Sequence, residues 1–409
     1  MKREQMKREQ VRTKMVFAGV SAFLMALAIL FAGALNNAHA SGITVYKDGD
    51  KYVKIGGRIQ LQYHYMNSKT ATSDPAGEDK IFFRRLRPFI EGSVLKNWKG
   101  KFQWDMGDAV GDNEMAIKDA YIGYSGPHNI KIEFGNAYFR FSQEDLTSSK
   151  KQQLVERTFA GDHNYGSPER NAGLHLTGAF LDKKLTYGFS AAIASVDPDS
   201  KKLDFDTPVN RNADFNEGYM AGARVSYHPF GHLKMSQGDL GKGGLKAVVN
   251  LASFVWQNDD DNNTYTNASG FDTSSGKKFD VESVVGFEVS AAARFQGASV
   301  DAEFNSFNAE TVDRTATGGL YQNGSTTLQN IAIEGGYMVL ANRLELVAGF
   351  QRQDADNYAK KWKRTSIGAN YFVKGHNLKA QVTYRIGENL DGIDGKDENE
   401  VFVQAQFVF

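Results

Sequence analysis

The sequence predicts an all-β protein: a transmembrane antiparallel up-and-down β-barrel of about 16 strands, with short periplasmic turns and long surface loops. Three observations predict this fold. Apolar and polar residues alternate along many segments, the connections between these segments are short and long in turn, and an alternating strand ends the chain at Phe409. Alternation is typical of strands with two unlike faces. Outer-membrane barrels join such strands by short turns on one side and long loops on the other.

The first forty residues have the pattern of a secretory signal peptide, which leaves 41–409 as the barrel. Residues 2–14 hold six basic and two acidic groups, residues 15–35 are apolar, and Ala38-His39-Ala40 is a small-x-small cleavage site. We therefore expect export and cleavage after Ala40. The apolar run is also long enough for an uncleaved anchor helix, which is the alternative.

Composition excludes several classes of function. Beyond residue 40 the chain has 42 Lys and Arg against 46 Asp and Glu, which gives no sign of a nucleic-acid partner. Cysteine is absent, so thiolate metal sites, thiol nucleophiles and disulfides are excluded. No Gly-x-Ser-x-Gly elbow, phosphate-binding glycine loop or paired-carboxylate motif occurs. The sequence therefore predicts no catalytic residue, no cofactor and no metal site.

The strands follow from the alternation. In the first, Val53, Ile55 and Ile59 share one face, and Lys54, Arg58 and Gln60 share the other. The predicted strands are 52–66, 81–96, 101–107, 114–124, 129–138, 171–181, 185–196, 216–228, 244–257, 283–295, 298–309, 329–340, 343–353, 363–373, 377–386 and 399–409. Lipid offers no partner to a strand edge, so a sheet of this kind must close on itself.

The connections place both termini on the short-turn, periplasmic side. Short connections are 97–100, 125–128, 182–184, 296–297, 341–342 and 374–376, and 229–243 is an unusually long one on the same side. Long connections are 67–80, 108–113, 139–170, 197–215, 258–282, 310–328, 354–362 and 387–398. The sequence of a soluble β-sandwich also alternates between apolar and polar residues. In a sandwich, however, the number of strands, the alternation of loop lengths and the pattern of the final strand would match those of a membrane barrel only by coincidence.

The final strand and several motifs resemble known outer-membrane sequences. A terminal Phe, here Phe409, resembles the signal that barrels present to their assembly machinery. The stretches Gly56–Gln60, Phe83–Gly92 and Lys118–Tyr124, followed by Glu144–Ser149 and Glu169–Gly173, resemble the phosphate-selective porin O and P family. The resemblance implies a trimeric diffusion porin of the bacterial outer membrane, surrounded by lipid and lipopolysaccharide. It also implies that the loop 139–170 folds into the lumen.

The candidate site residues are basic groups expected to line the pore. Alternation turns Arg58, Arg85, Arg87, Lys131 and Arg385 inward, and the loop 139–170 adds Lys150 and Arg157. Charges in a low-dielectric constriction act strongly on passing ions, so such a wall favours anions. The alternative is that these groups pair with acids and only brace the wall. Arg84 is expected to face outward unless a bulge or the membrane interface accommodates it, because a basic group facing lipid is costly.

The expected function is passive diffusion of small anionic or neutral solutes, with at most a mild anion preference. The loop 139–170 carries five basic and five acidic groups, and 258–282 contains the acidic run Asp259-Asp260-Asp261. The resemblance implies an arginine-rich ladder on inward loops in phosphate-selective members, and this chain departs from that pattern. Two alternatives are a plugged structural barrel without channel activity and an outer-membrane barrel enzyme.

Overall fold

The chain forms a closed antiparallel barrel of sixteen strands, as seen in a computed structural model. The described residues are 42–70, 73–107, 115–127, 129–196, 198–206, 218–258 and 279–409. The expected signal peptide (1–40) and the acidic run 259–261 lie outside them. The barrel strands are β2 (Lys51–Thr70), β3 (Ser73–Leu95), β4 (Trp98–Asp105), β5 (Ala116–Ser125), β6 (Lys131–Tyr138), β7 (Arg170–Phe180), β8 (Leu185–Ile193), β11 (Tyr219–Tyr227), β12 (Lys246–Gln257), β13 (Val281–Phe295), β14 (Ala298–Thr311), β15 (Ser325–Leu340), β16 (Leu344–Asp354), β17 (Trp362–Lys374), β18 (Leu378–Glu388) and β19 (Asp397–Val408).

Four small elements of the described residues were not predicted. Strand β1 (Ile43–Asp48) pairs with the start of β2, and β9 (Ser195–Val196) pairs with β10 (Phe205–Asp206) between β8 and β11. A four-residue helix, α1 (Gln143–Leu146), lies between β6 and β7. None of the helices in the described residues is long and apolar enough to cross a membrane.

Each barrel strand pairs with its neighbour in the chain, and the last strand closes the ring. Strand β8 pairs with β11. Strand β19 pairs with β2 from Asp397↔Lys69 to Val408↔Arg58. The backbone N–H groups of Gly57 and Phe409 each donate to the other residue's carbonyl, at 3.0 and 3.1 Å. Closure leaves no unpaired edge along the wall, which is the requirement of a strand structure in lipid.

The two faces of the wall differ as the alternation predicts. On β12, Val249, Leu251 and Val255 point outward and are about half exposed, whereas Asn250 between them is buried in the lumen. Similar outward apolar residues occur on β13, β16 and β17. This apolar exterior is the surface that a barrel presents to lipid.

The predicted fold class is confirmed, and every predicted strand corresponds to one barrel strand. One connection differs from expectation. The segment 67–80 was expected to be a long loop, but β2 and β3 continue through most of it as a hairpin. The alternation of polar residues there is weak, and backbone pairing alone extends the two strands.

Candidate functional site

The segment between β6 and β7, residues 139–169, lies inside the barrel and is called the lumen loop below. Inward-facing side chains of distant strands bond to its backbone. Asn305 Nδ2 donates to Ala160 O at 2.8 Å, and Lys379 Nζ donates to Gln152 O at 2.8 Å. These donors satisfy loop carbonyls that the barrel shields from water. The lumen is therefore narrowed along this loop.

The middle of the lumen loop meets a segment that enters from the opposite end of the barrel. The connection 228–245, at the short-turn end, places Gln237 beside the loop. Gln153 N donates to Gln237 Oε1 at 2.7 Å, and Gln237 N donates to Lys151 O at 3.1 Å. Two inserted segments thus support each other within the barrel.

Apolar packing fixes the first part of the lumen loop to one side of the wall. Phe139 and Phe141 are fully buried against Phe254 of β12, with ring centroids at 5.9 and 4.9 Å. Phe307 of β14 and Phe205 of β10 join the same cluster. Burial of each such ring contributes about 1.5–3 kcal/mol. This half of the lumen is filled by side chains.

Two β-bulges direct basic side chains onto acids of the lumen loop. Gln60↔Arg85 is followed by Leu61↔Phe83, so Arg84 is an extra residue in β3. Arg84 Nε and Nη2 donate to the Glu156 carboxylate at 2.8 and 3.1 Å. Arg84 was expected to face outward unless a bulge or the interface accommodated it, and the bulge does so by turning it inward.

The second bulge is in β5. Gln103↔Asp119 is followed by Trp104↔Ile117, which leaves Lys118 as the extra residue. Lys118 Nζ donates to Glu169 Oε2 at 3.1 Å.

Although burial alone would raise the pKa of Glu156, Arg84 and Arg85 lower it to about 2. Its ion pair with Arg84 is therefore intact at neutral pH.

Three acids that form no ion pair within the described part of the chain lie beneath the inserted segments. Glu303 Oε2 accepts from Glu144 N at 2.8 Å, Glu334 Oε2 accepts from Gln237 Nε2 at 2.7 Å, and Glu345 Oε1 accepts from Gln153 Nε2 at 2.7 Å. All three carboxylates are buried. The lumen loop and the connection 228–245 therefore lie over these three carboxylates.

The predicted residues Arg58, Arg85 and Arg87 face inward and are buried against the wall or the lumen loop. Arg58 Nη1 donates to Ser149 Oγ at 2.8 Å, and Arg85 Nη1 donates to Gln60 Oε1 at 3.1 Å. Arg87 Nε donates to Asp105 Oδ2 at 2.6 Å. Arg87 is thus paired with an acid, whereas Arg58 and Arg85 bond only to neutral groups within the described part of the chain.

The other four predicted residues have different surroundings. Lys131 is exposed at the start of β6, at the short-turn end. Arg385 forms an ion pair with Glu400. Arg157 Nη2 donates to the carbonyls of Asp145 and Thr147, each at 3.1 Å, and so binds the C-terminal end of α1.

Lys150 lies on the lumen loop near Arg58, and Gln406 Nε2 donates to its carbonyl at 3.0 Å. Burial, together with the charges of Arg58, Lys151 and Lys101, lowers the pKa of the Lys150 side chain to about 8. Every charged group that affects this pKa is basic. Lys150 is therefore part of a locally cationic section with Arg58.

Sequence reasoning missed Arg364 on β17. Its guanidinium lies over the rings of Phe159 and Trp362, 4.4 and 4.5 Å from their centroids. The alternation could have identified it: Ile367 and Tyr371 point outward, and Arg364 is an odd number of residues from both, so it faces the lumen.

No group of three or more His, Asp or Glu side chains in the described ranges is arranged to hold a metal ion.

Comparison with known sequences gives one family and two relatives. The sequence model of the family described as phosphate-selective porin O and P matches residues 53–409. Porin O of Pseudomonas aeruginosa is 29% identical over 154 residues, which cover 35% of this chain and 35% of Porin O. An uncharacterized protein of Aquifex aeolicus is 22% identical over 413 residues, covering 92% of each chain. The chain thus matches about a third of the length of Porin O.

Several solved structures share the barrel. A loop-deletion mutant of OmpT, an outer membrane protein of Vibrio cholerae, matches with a TM-score of 0.56 at 13% identity, over 88% of this chain and all of that one. An anion-selective porin from Comamonas acidovorans gives 0.55 at 12%, over 88% and 100%. The outer membrane channel DcaP of Acinetobacter baumannii gives 0.55 at 15%, over 90% and 100%. At these identities the similarity shows the fold alone.

Proposed function

Because the chain belongs to the phosphate-selective porin O and P family of outer-membrane porins, we propose that it conducts small hydrophilic solutes by passive diffusion, with a mild preference for anions. Inorganic phosphate is one of the anions that it would admit. The passage runs beside the lumen loop, and Arg58, Arg85 and Lys150 supply its positive potential. Arg87, Arg157 and Arg385 contribute less because acids or carbonyls already bind them.

One observation carries this proposal: three basic groups of the lumen have no ion-pair partner among the described residues. Arg58, Arg85 and Lys150 have no carboxylate within ion-pair distance among the described residues. Glu303 and Glu334 also form no ion pair there, but they face a cavity of only about 20 Å³ between the lumen loop and the wall. A low-dielectric wall strengthens the interaction of the uncompensated cations with a passing ion. The net effect favours anions.

The preference is mild because most of the lumen charge is paired. Arg84 with Glu156, Lys118 with Glu169 and Arg140 with Glu133 each form an ion pair. A paired charge has a weak field at a distance. Strict phosphate selectivity would need more unpaired cations than this section supplies.

The decisive measurement is the reversal potential of single channels under a KCl gradient in a planar bilayer. The unmodified protein should show stepwise openings and a potential that indicates anion preference. Arg85→Gln should lower the anion-to-cation permeability ratio by about twofold, because it removes an unpaired charge from a low-dielectric wall. Lys47→Gln is the matched control, since Lys47 is exposed on β1 outside the barrel wall.

An unchanged reversal potential in Arg85→Gln would contradict the assignment of Arg85. Absence of openings from folded protein would instead support a plugged structural barrel. We propose no enzymatic activity, because no nucleophile with an adjacent base was predicted from the sequence.

We further propose that the barrel assembles as a homotrimer and is recognised by the barrel assembly machinery through its last strand. One similar structure is described as the trimer form of OmpT of Vibrio cholerae. Chemical cross-linking in outer membranes tests the trimer, and bands at only the monomer mass would contradict it. Lipid and lipopolysaccharide are the expected surroundings of the apolar exterior.

A further inference from the structure

A cavity of about 330 Å³ lies in the lumen near the long-loop end of the barrel. Its wall comes from three parts of the fold: the outer halves of β2 and β3, the adjoining strands β17 to β19, and the lumen loop. The basic residues that line it are Lys80, Arg84, Arg157, Arg364 and Arg385, and the acidic ones are Glu156, Asp162 and Glu400. The cavity therefore has a formal charge of +2 with His64 neutral.

Arg364 is the basic group in this cavity that is available to a ligand. Its guanidinium is held by the Phe159 and Trp362 rings and, within the described ranges, has no hydrogen bond or ion pair. Arg84 is bound to Glu156 and Arg385 to Glu400. A guanidinium held by aromatic rings presents two parallel N–H groups, its N–H fork, in a fixed orientation. These can donate one hydrogen bond to each oxygen of a carboxylate.

The cavity also has aromatic surface. Phe82, His64 and Phe402 line it, but Phe402 is only 2% exposed, because the His64 ring stacks on it at 4.4 Å and Arg385 lies over it at 4.7 Å. Phe82 and His64 therefore supply the accessible aromatic surface. Small-molecule sites typically enclose about 300–1,000 Å³ and combine apolar surface with a few polar groups. An inorganic anion needs neither this volume nor aromatic contacts. A ring with a carboxylate attached would use both features.

We propose that this cavity binds small aromatic carboxylates, with Arg364 holding the carboxylate and the ring lying against the aromatic wall. The proposal deepens the proposed function, because it names a solute class for a passage already inferred to favour anions. The bound solute would occupy the lumen above the narrow section and raise the local concentration of permeating anion.

The test uses the full-length protein purified from outer membranes in detergent, with benzoate as the probe. Tryptophan fluorescence reports binding, since Trp362 contacts Arg364 directly. We expect a saturable change with benzoate at about tenfold lower concentration than with inorganic phosphate. Arg364→Gln should weaken benzoate binding by about tenfold, the effect of losing a charged hydrogen-bonding group. Arg364→Lys should give an intermediate affinity because it retains the charge without the fork.

Lys47→Gln is again the matched control and should bind benzoate normally. Equal half-saturation by benzoate and phosphate would overturn the proposal, as would unchanged benzoate binding in Arg364→Gln. Cyclohexanecarboxylate binding as tightly as benzoate would overturn the aromatic part. Because fluorescence detects binding without an open channel, the binding site and the anion-preferring conductance are tested independently. If the channel prefers anions but does not bind benzoate, only the proposed binding site is contradicted. If it binds benzoate but shows no anion preference, only the proposed selectivity is contradicted.

Discussion

Lys150 combines a position in the narrowed lumen with surroundings that make its charge easy to remove. Burial lowers its pKa most, the charges of Arg58, Lys151 and Lys101 lower it further, and the pKa falls to about 8. The side chain is therefore cationic below about pH 8 and increasingly neutral above it. A single titration can thus change the field in the passage within a range where the barrel stays intact.

We expect the anion preference to decrease as the pH rises from about 7 to about 9, because Lys150 loses its proton in this interval. Reversal potentials measured across that pH range check this. Lys150→Gln should have a lower preference that no longer changes with pH, and Lys150→Arg should keep a high preference throughout.

Two other groups of the lumen loop also have shifted pKa values, because burial raises the pKa of Asp145 to about 7 and lowers the pKa of Lys151. A further loop group to consider is His163. Burial opposes its charged form, but Asp204 raises the pKa of His163 to about 9. If His163 were responsible, the pH dependence would persist in Lys150→Gln, and the assignment to Lys150 would be wrong.

Arg84 shows how a single extra residue in a strand changes the role of a side chain. Without the bulge it would point toward lipid, where a basic group costs about 2–4 kcal/mol. With the bulge it forms two hydrogen bonds to Glu156. The same arrangement recurs between Lys118 and Glu169. At the scale of elements, the bulged strands therefore act as attachment points for the lumen loop.

Glu156→Gln should weaken the attachment of the loop by about 1–3 kcal/mol, because Arg84 would lose a charged partner while it stays largely shielded. The expected result is greater open-channel current noise with little change in the stability of the barrel. Glu310→Gln is the matched control, since Glu310 pairs with Arg314 at an exposed position. Noise that increases equally in both variants would contradict a special role for the bulge.

The strands were predictable because one face of each strand contacts lipid and the other faces the lumen. The family prediction is confirmed by the match over residues 53–409. The bulge at Arg84 was not predictable, since register depends on pairing with β2 and leaves no local mark in the sequence. Nor was the apolar cluster, because Phe254 and Trp256 face a lumen that the alternation rule treats as polar. Arg364 follows the alternation of inward and outward residues along β17, so its inward position could have been predicted from the sequence.

At the scale of the whole molecule, the seam between β2 and β19 depends on two glycines. A Cβ on Gly56 would lie 2.7 Å from the carbonyl oxygen of Phe409, and one on Gly57 would lie 2.9 Å from the Phe409 ring. Both contacts are closer than side chains tolerate. The motif Gly56-Gly57 thus lets the last residue of the chain lie directly against the first barrel strand.

Gly56→Val should destabilise the closed barrel by about 1–3 kcal/mol, the usual cost of overpacking. The fraction of protein that resists unfolding by SDS without heating measures this. Gly241→Val is the matched control, because Gly241 lies in the connection 228–245 with open space around it. Equal SDS resistance of the two variants would show that the seam tolerates a side chain at Gly56.

The contact between Gln153 of the lumen loop and Gln237 of the opposite connection has a consequence for biogenesis. The loop also bonds to Lys379 and Gln381, more than 220 residues later in the chain. These partners come into place only when the late strands have joined the sheet. The lumen loop can therefore take its final position only after β18 has joined the same wall as β6 and β7, so the constriction is completed late in assembly.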